Sequence, residues 1–348
     1  MSINKRELWA DYLKGICILL VFVGHLDILP QYIRVFIYLF HMPAFFFCIG
    51  FYDKIGISFI EYLRKKSKSL LIPYFFYSFS ILTLQQIKNL FFGNGINWQT
   101  VRNNIIGTFL CLRNSQYNGS NWFLIASFVA CVLYYAIMKN VKNTKTRFII
   151  VVSLSLVITY TSRLFKIASP WYVDVAIICL FYILFGRYIK EKSIIISKTQ
   201  SFLLIVIGMI LSTVIYFFVR NDNVKYLIDY HTARTYPYLL VTIGGIVLLL
   251  SFFGLLYNSK HKSLVSYIGE NSLIYYLLDW VPYAILNKIL NICGLQITNE
   301  YLLVIVQIIC ILLVMPIVVM IIKRYFWFLF GKKKEIWSFN YKNINKRC

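Results

Sequence analysis

Three ionisable residues near the start of the chain are placed to do chemistry together: Asp11, Lys14 and His25. They lie in or beside an apolar stretch, where ionisable groups are costly and mark function by default. Lys14 and His25 are eleven residues apart, close to three whole helical turns. A helix therefore puts them on one face, about 16 Å apart along its axis. Asp11 falls about 40° off that stripe and can pair with Lys14 at i,i+3. The bland alternative for the pair is an ion pair or snorkelling lysine at a membrane boundary, and for His25 a hydrogen-bonded packing residue. An unperturbed histidine titrates near pH ~6.5, which suits a general base at neutral pH.

A second histidine, His41, sits in the apolar run FIYLFHMPAFFFCIGF, just before Met42 and Pro43. The proline frees a backbone carbonyl and can kink a helix there. His41 then either supports the kink or faces one cavity with His25. Metal binding would need further ligands at fitting spacing, and no metal is expected. The eight cysteines form no CxxC pair and lie mostly inside apolar runs, so they read as small buried side chains. Beyond His41 come Arg64, Lys65, Lys66 and Lys68. This run marks either topology with anionic lipid contact or recognition of a phosphate-rich cytosolic ligand.

The elements that must position these groups are set by composition. Of 348 residues, 59% are hydrophobic and only 14% charged, with mean hydropathy +0.69. A soluble core of this size cannot hide so much apolar surface, which excludes a soluble enzyme, a disordered chain and a collagen-like fibre. An all-α, polytopic membrane helical bundle remains. Apolar runs predict ten spans, at 11–29, 33–51, 70–92, 121–138, 147–162, 171–189, 201–219, 236–257, 267–287 and 301–323. The first follows Lys5 and Arg6 as a signal peptide would, but no small-residue cleavage site follows, so it reads as a retained span. With the N-terminus inside, most of the 36 Lys and Arg fall on the inner side, a strong positive-inside bias that also puts both termini in the cytoplasm. The net charge of +23 is then topology, and nucleic acid is not a partner. Two outer loops are long, 93–120 and 220–235. No internal repeat of the transporter kind is visible. The chain reads as one transmembrane domain, 1–330, and a basic cytoplasmic tail, 331–348.

The opening WADYLKGICILLVFVGHL, then YLFHMPAFFFCIGF, the basic run ending LLIPYFF, NWFLIASF and the late GENSLIYYLLDWVP resemble the acyltransferase 3 family of integral membrane O-acyltransferases. The nearest likeness is to its fucose 4-O-acetylase-like branch. The likeness is dense over residues 9–130 and thinner afterwards. The family hallmark, Arg or Lys followed after ten residues by His on the first span, is met by Lys14 and His25. By that resemblance His25 is the catalytic residue and Lys14 belongs to the acyl-donor path. The family also carries an RxxR pair at the inner end of the third span. Lys65 and Lys68 have that spacing without the guanidinium, and Arg64 is one residue out of step. Lysine meets a phosphate as a point charge and loses the bidentate fork. Asn121 and Trp122 match the family's SNWFL-like stretch and imply a substrate site. Where relatives of the branch often show His, this chain has Asp279, which could take a second base or polar role.

The resemblance thus implies transfer of an acyl group, acetyl in the first instance, from cytosolic acyl-CoA to a hydroxyl of a cell-surface polysaccharide or lipid-linked glycan, in a bacterial cytoplasmic membrane. Acetyl-CoA would be the co-substrate. Arg64, Lys65, Lys68 and Lys14 would hold the donor, with His25, Lys14, His41 and Asp279 at the reaction centre. Membrane lipids and the glycan acceptor are the other partners. Two further readings stay open on the residues. One is a transporter or flippase of a lipid-linked saccharide that uses His25, His41 and Asp279 for coupling. The other is a non-catalytic partner of a polymer synthase.

Overall fold

A computed structural model describes residues 7–24, 29–93, 95–112, 121–165, 169–219 and 238–330. His25, the outer segment 220–235 and the tail 331–348 lie outside the described residues. All regular secondary structure among the described residues is helical, without a strand. In chain order the helices are α1 (Leu8–Gly24), α2 (Gln31–Tyr52), α3 (Phe59–Lys66), α4 (Ile72–Phe91), α5 (Trp98–Phe109), α6 (Trp122–Asn140) and α7 (Thr144–Phe165). There follow α8 (Val173–Glu191), α9 (Lys198–Val219), α10 (Tyr238–Leu256), α11 (Leu264–Glu270), α12 (Ser272–Leu277), α13 (Trp280–Ile292) and α14 (Glu300–Tyr325). A π-helical turn, Ser67–Leu71, joins α3 to α4, so that Phe59–Phe91 is one 33-residue helix.

Eight of the ten expected spans are single helices long and apolar enough to cross a membrane. The first span is described only as far as Gly24. The ninth, expected at 267–287, is not continuous: it breaks at Asn271 and again at Leu278–Asp279, giving α11, α12 and α13. Irregular backbone at membrane depth leaves N–H and C=O groups to be satisfied, and is tolerated only where protein or a cavity surrounds it. The outer loop 93–120 also departs from expectation. It contains α5, whose start is capped by Asn97 Oδ1 accepting from the Thr100 amide at 3.0 Å.

α2 and α8 form the centre, because both are apolar around their whole circumference and both are mostly buried. α7, α9 and α14 are also apolar enough to span yet keep most of their surface outward, as lipid-facing helices do. Glycine sets the closest approaches. A Cβ on Gly50 would run into the Ile183 carbonyl of α8, and one on Gly186 into the Phe47 carbonyl of α2. α1 and α11 cross in the same way: Gly15 faces the Val265 carbonyl and Gly269 the Asp11 carbonyl. At the inner side, the side richer in Lys and Arg, Trp9 packs edge-on against Phe51 and Phe253, each at 4.9 Å. This ties α1, α2 and α10 together.

Candidate active site

Between α1, α2, α6, α12 and the π-turn lies a cavity of about 270 Å³. Lys14 and Ile18 face it from α1, so the helix stripe that carries Lys14 is the stripe turned to the cavity. Tyr52 and Leu70 stand at its inner end, whereas Met42, Phe123 and Tyr276 line its deeper part. The lining is almost wholly apolar and aromatic, with one cation. Such a chamber suits a thin, largely uncharged chain whose charged end stays outside.

Lys14 forms an ion pair with Asp11 at 3.0 Å. Asp11 is buried and Lys14 about a quarter exposed at its side chain. The pair keeps two charges tolerable at membrane depth and fixes the ammonium at the cavity wall. The helix supplies the spacing, and the Gly15–Gly269 crossing holds that turn of α1 against the broken ninth span.

His41 is buried on α2 and does not line the cavity, although Met42 beside it does. Its Nδ1 lies 2.8 Å from the Ile37 carbonyl oxygen. A carbonyl only accepts, so a hydrogen sits on Nδ1. The ring packs at 5.3 Å from that of Tyr38, whose hydroxyl donates to the Gly24 carbonyl at 3.1 Å. His41 is thereby tied to the last described turn of α1. Pro43 has no amide to give the Leu39 carbonyl, and that oxygen instead faces Gly245 of α10.

Asp279 sits at the second break of the ninth span, half-buried, within electrostatic reach of Tyr77, Tyr276 and Tyr283. It does not line the cavity itself, but Tyr276, one turn earlier, does. Asn121 is fully buried at the start of α6. Its Nδ2 donates to Ser78 Oγ at 3.5 Å, and its Oδ1 has no hydrogen-bond partner among the described residues. The Trp122 ring packs 6.5 Å from that of Tyr172, and Phe123 then enters the cavity wall. Arg64, Lys65 and Lys68 are exposed on α3 and the π-turn, two to six residues before Leu70. Lys66 is committed elsewhere, to Asp53 at 2.8 Å, and Asp53 also accepts from the Tyr62 hydroxyl at 2.5 Å.

The structure therefore brings Lys14 to the cavity, Arg64, Lys65 and Lys68 to the segment that enters its wall, and Asn121 and Trp122 next to Phe123. It leaves His41 and Asp279 behind the wall. Tyr52, Leu70 and Tyr276 are wall residues that sequence reading missed. For Tyr276 a signal did exist, in the polar Asn271 and Asp279 that bracket its short helix.

The family described as acyltransferase domain matches residues 7–324. Nodulation protein NolL of Mesorhizobium japonicum is 29% identical over 143 residues, which is 37% of this chain and 35% of that relative. The chain thus matches about a third of that protein's length. No solved structure matches the chain.

Proposed function

Because the chain belongs to the acyltransferase family, whose domain it matches over residues 7–324, we propose that it is an integral membrane O-acyltransferase. The donor is acyl-CoA, acetyl-CoA in the first instance, and the acceptor a hydroxyl of a surface polysaccharide or lipid-linked glycan. The observation that carries this reading is the apolar cavity with Lys14 at its wall and the basic Arg64–Lys68 run leading into it. The anionic part of acyl-CoA stays with the inner cations, and the pantetheine arm enters the cavity along the Lys14–Ile18 stripe of α1. His25, which by the family resemblance is the catalytic residue, takes the proton of the acceptor hydroxyl as oxygen attacks the thioester carbon. The carbon–sulfur bond breaks, the leaving thiolate takes that proton back from His25 as CoA, and the new ester carries the acyl group. Asn121 and Trp122, which match the family's SNWFL-like stretch, hold the acceptor. His41, its Nδ1 tied to Ile37, and Asp279, beside Tyr276, support the centre from behind the wall. The membrane is the bacterial cytoplasmic one.

The test is transfer of label from acetyl-CoA into surface glycan by membranes carrying wild type or His25→Ala, with insertion checked for both. Loss of transfer on the order of 10²–10⁴-fold is expected for a general base. Equal transfer by both proteins would remove His25 from the reaction. Label that enters no glycan, together with no binding of CoA, would favour the saccharide transporter.

A further inference from the structure

We propose that Lys190, on a helix outside the basic run, is a phosphate-binding residue at the inner mouth of the donor cavity. The inference rests on the acyl-CoA reading above and extends it.

The last turn of α2 forms the mouth, since Tyr52 lines the cavity there. Lys190, in the final turn of α8, places its ammonium 5.8 Å from the Tyr52 ring centre and 5.4 Å from that of Phe51. The glycine crossing makes this possible. Gly186 lies one turn before Lys190 and Gly50 just before Phe51, and their backbone contacts bring the two inner helix ends together. The lysine stem then lies along aromatic faces while its charge stays exposed.

Charge accounting separates Lys190 from its neighbours. Lys14 is neutralised by Asp11 at 3.0 Å, Lys66 by Asp53 at 2.8 Å and Arg187 by Glu191 at 2.6 Å. Glu7, the carboxylate at Tyr52, receives the Tyr52 hydroxyl at 3.0 Å and the Trp9 indole at 2.7 Å. Among the described residues no carboxylate lies within 4 Å of Lys190, which is held by rings alone. Among the described residues it is an oriented cation with its charge unspent, and it stands over the ring of Tyr52, a wall residue of the cavity. The third span lacks the paired guanidiniums that would grip a phosphate bidentately, so a cation from α8 completes the set from a second direction. A lipid phosphate presents the same chemistry, and the experiment separates the two sources.

CoA binding is measured by titration calorimetry on the purified full chain in detergent, for wild type, Lys190→Gln, Lys190→Arg and Lys139→Gln. Lys139 is the control, because it also lies over a ring, that of Tyr135 at 5.5 Å, but that ring is no part of the cavity. Each protein is also titrated with pantetheine, which lacks the phosphates. Lys190→Gln is expected to weaken CoA by about fivefold, the usual scale of an exposed charge pair. Pantetheine binding should be unchanged, Lys190→Arg should restore most of the affinity, and the difference should shrink in high salt. CoA bound equally by Lys190→Gln and wild type overturns the inference, and assigns the lysine to lipid if only anionic vesicles then distinguish the two proteins. Equal weakening of CoA and pantetheine also overturns it, as a structural effect. Wild type that binds no CoA overturns the donor reading itself, and the role of Lys190 with it.

Discussion

The two glycine crossings use one device for different ends. Where α2 meets α8, two long helices of 22 and 19 residues cross, and Gly50 and Gly186 each face a carbonyl of the other helix, that of Ile183 and that of Phe47. Where α1 meets α11, the partner is a seven-residue helix that stops one residue after Gly269, at Glu270. Beyond that point the chain turns into α12, whose Ser272, Leu273 and Tyr276 line the cavity. Close backbone contact makes a rigid scaffold when both partners are long helices with packing of their own. When one ends, the contact anchors a short segment and leaves the next to be set by its own packing. The first crossing is frame, and the second is the hinge side of a wall.

The sharpest way to break this contrast is Gly186→Val. The branched side chain has no room against the Phe47 carbonyl, and neither helix can move alone. A loss of about 3 kcal/mol or more is expected, read as a large drop in the thermal midpoint in detergent. A midpoint like that of wild type would mean the crossing is not tight. Lys14→Met comes next. It leaves Asp11 buried without its cation, at about 2 kcal/mol after allowing for the part-exposed lysine. Adding Asp11→Asn should recover most of that stability while acyl transfer stays lost, so recovery of both would reduce the pair to a structural role. Gly269→Ala should cost only about 1–2 kcal/mol, because the seven-residue α11 can shift where a through-going helix cannot. Its signature should be a raised KM for the acyl donor beside a smaller drop in midpoint than that of Gly186→Val, and an equal drop with KM unchanged would make the two crossings alike. The smallest effect belongs to Tyr62→Phe, about 1 kcal/mol, since Lys66 still holds Asp53 when the hydroxyl is gone. A change several times larger would show that the Asp53 cluster, not the glycines, locks the inner end of α2.

Much of the frame is legible in the sequence. Residues 33–51 and 171–189 differ from α2 and α8 by only about two residues at each end, because lipid demands a long apolar run and little else satisfies it. The broken ninth span is harder to see. Hydropathy adds up side chains and is blind to a lost backbone hydrogen bond, so single polar residues such as Asn271 and Asp279 pass unnoticed among leucines and tyrosines. α5 escapes for the opposite reason. Its Asn-rich, weakly apolar face reads as loop, although Asn97 before Trp98, Val101 and Ile105 is a helix start with periodic spacing. The π-turn leaves no compositional trace. At the site, the eleven-residue spacing marks Lys14, and the described turns of α1 put it at the cavity wall. Tyr52, Leu70 and Tyr276 come from three separate elements, and no spacing along the chain encodes their meeting.

The uninterrupted Phe59–Phe91 helix has a further consequence. Its 33 residues extend about 50 Å at 1.5 Å per residue, whereas the hydrocarbon slab is about 30 Å thick. Roughly 20 Å must be taken up by tilt or by overshoot into water, and the surplus lies at the end that bears Arg64, Lys65 and Lys68. The height of those cations above the slab is then set by hydrophobic mismatch. Bilayer thickness becomes a control variable for this enzyme, and vesicles of graded acyl length a dial on how far its basic shoulder stands out of the membrane.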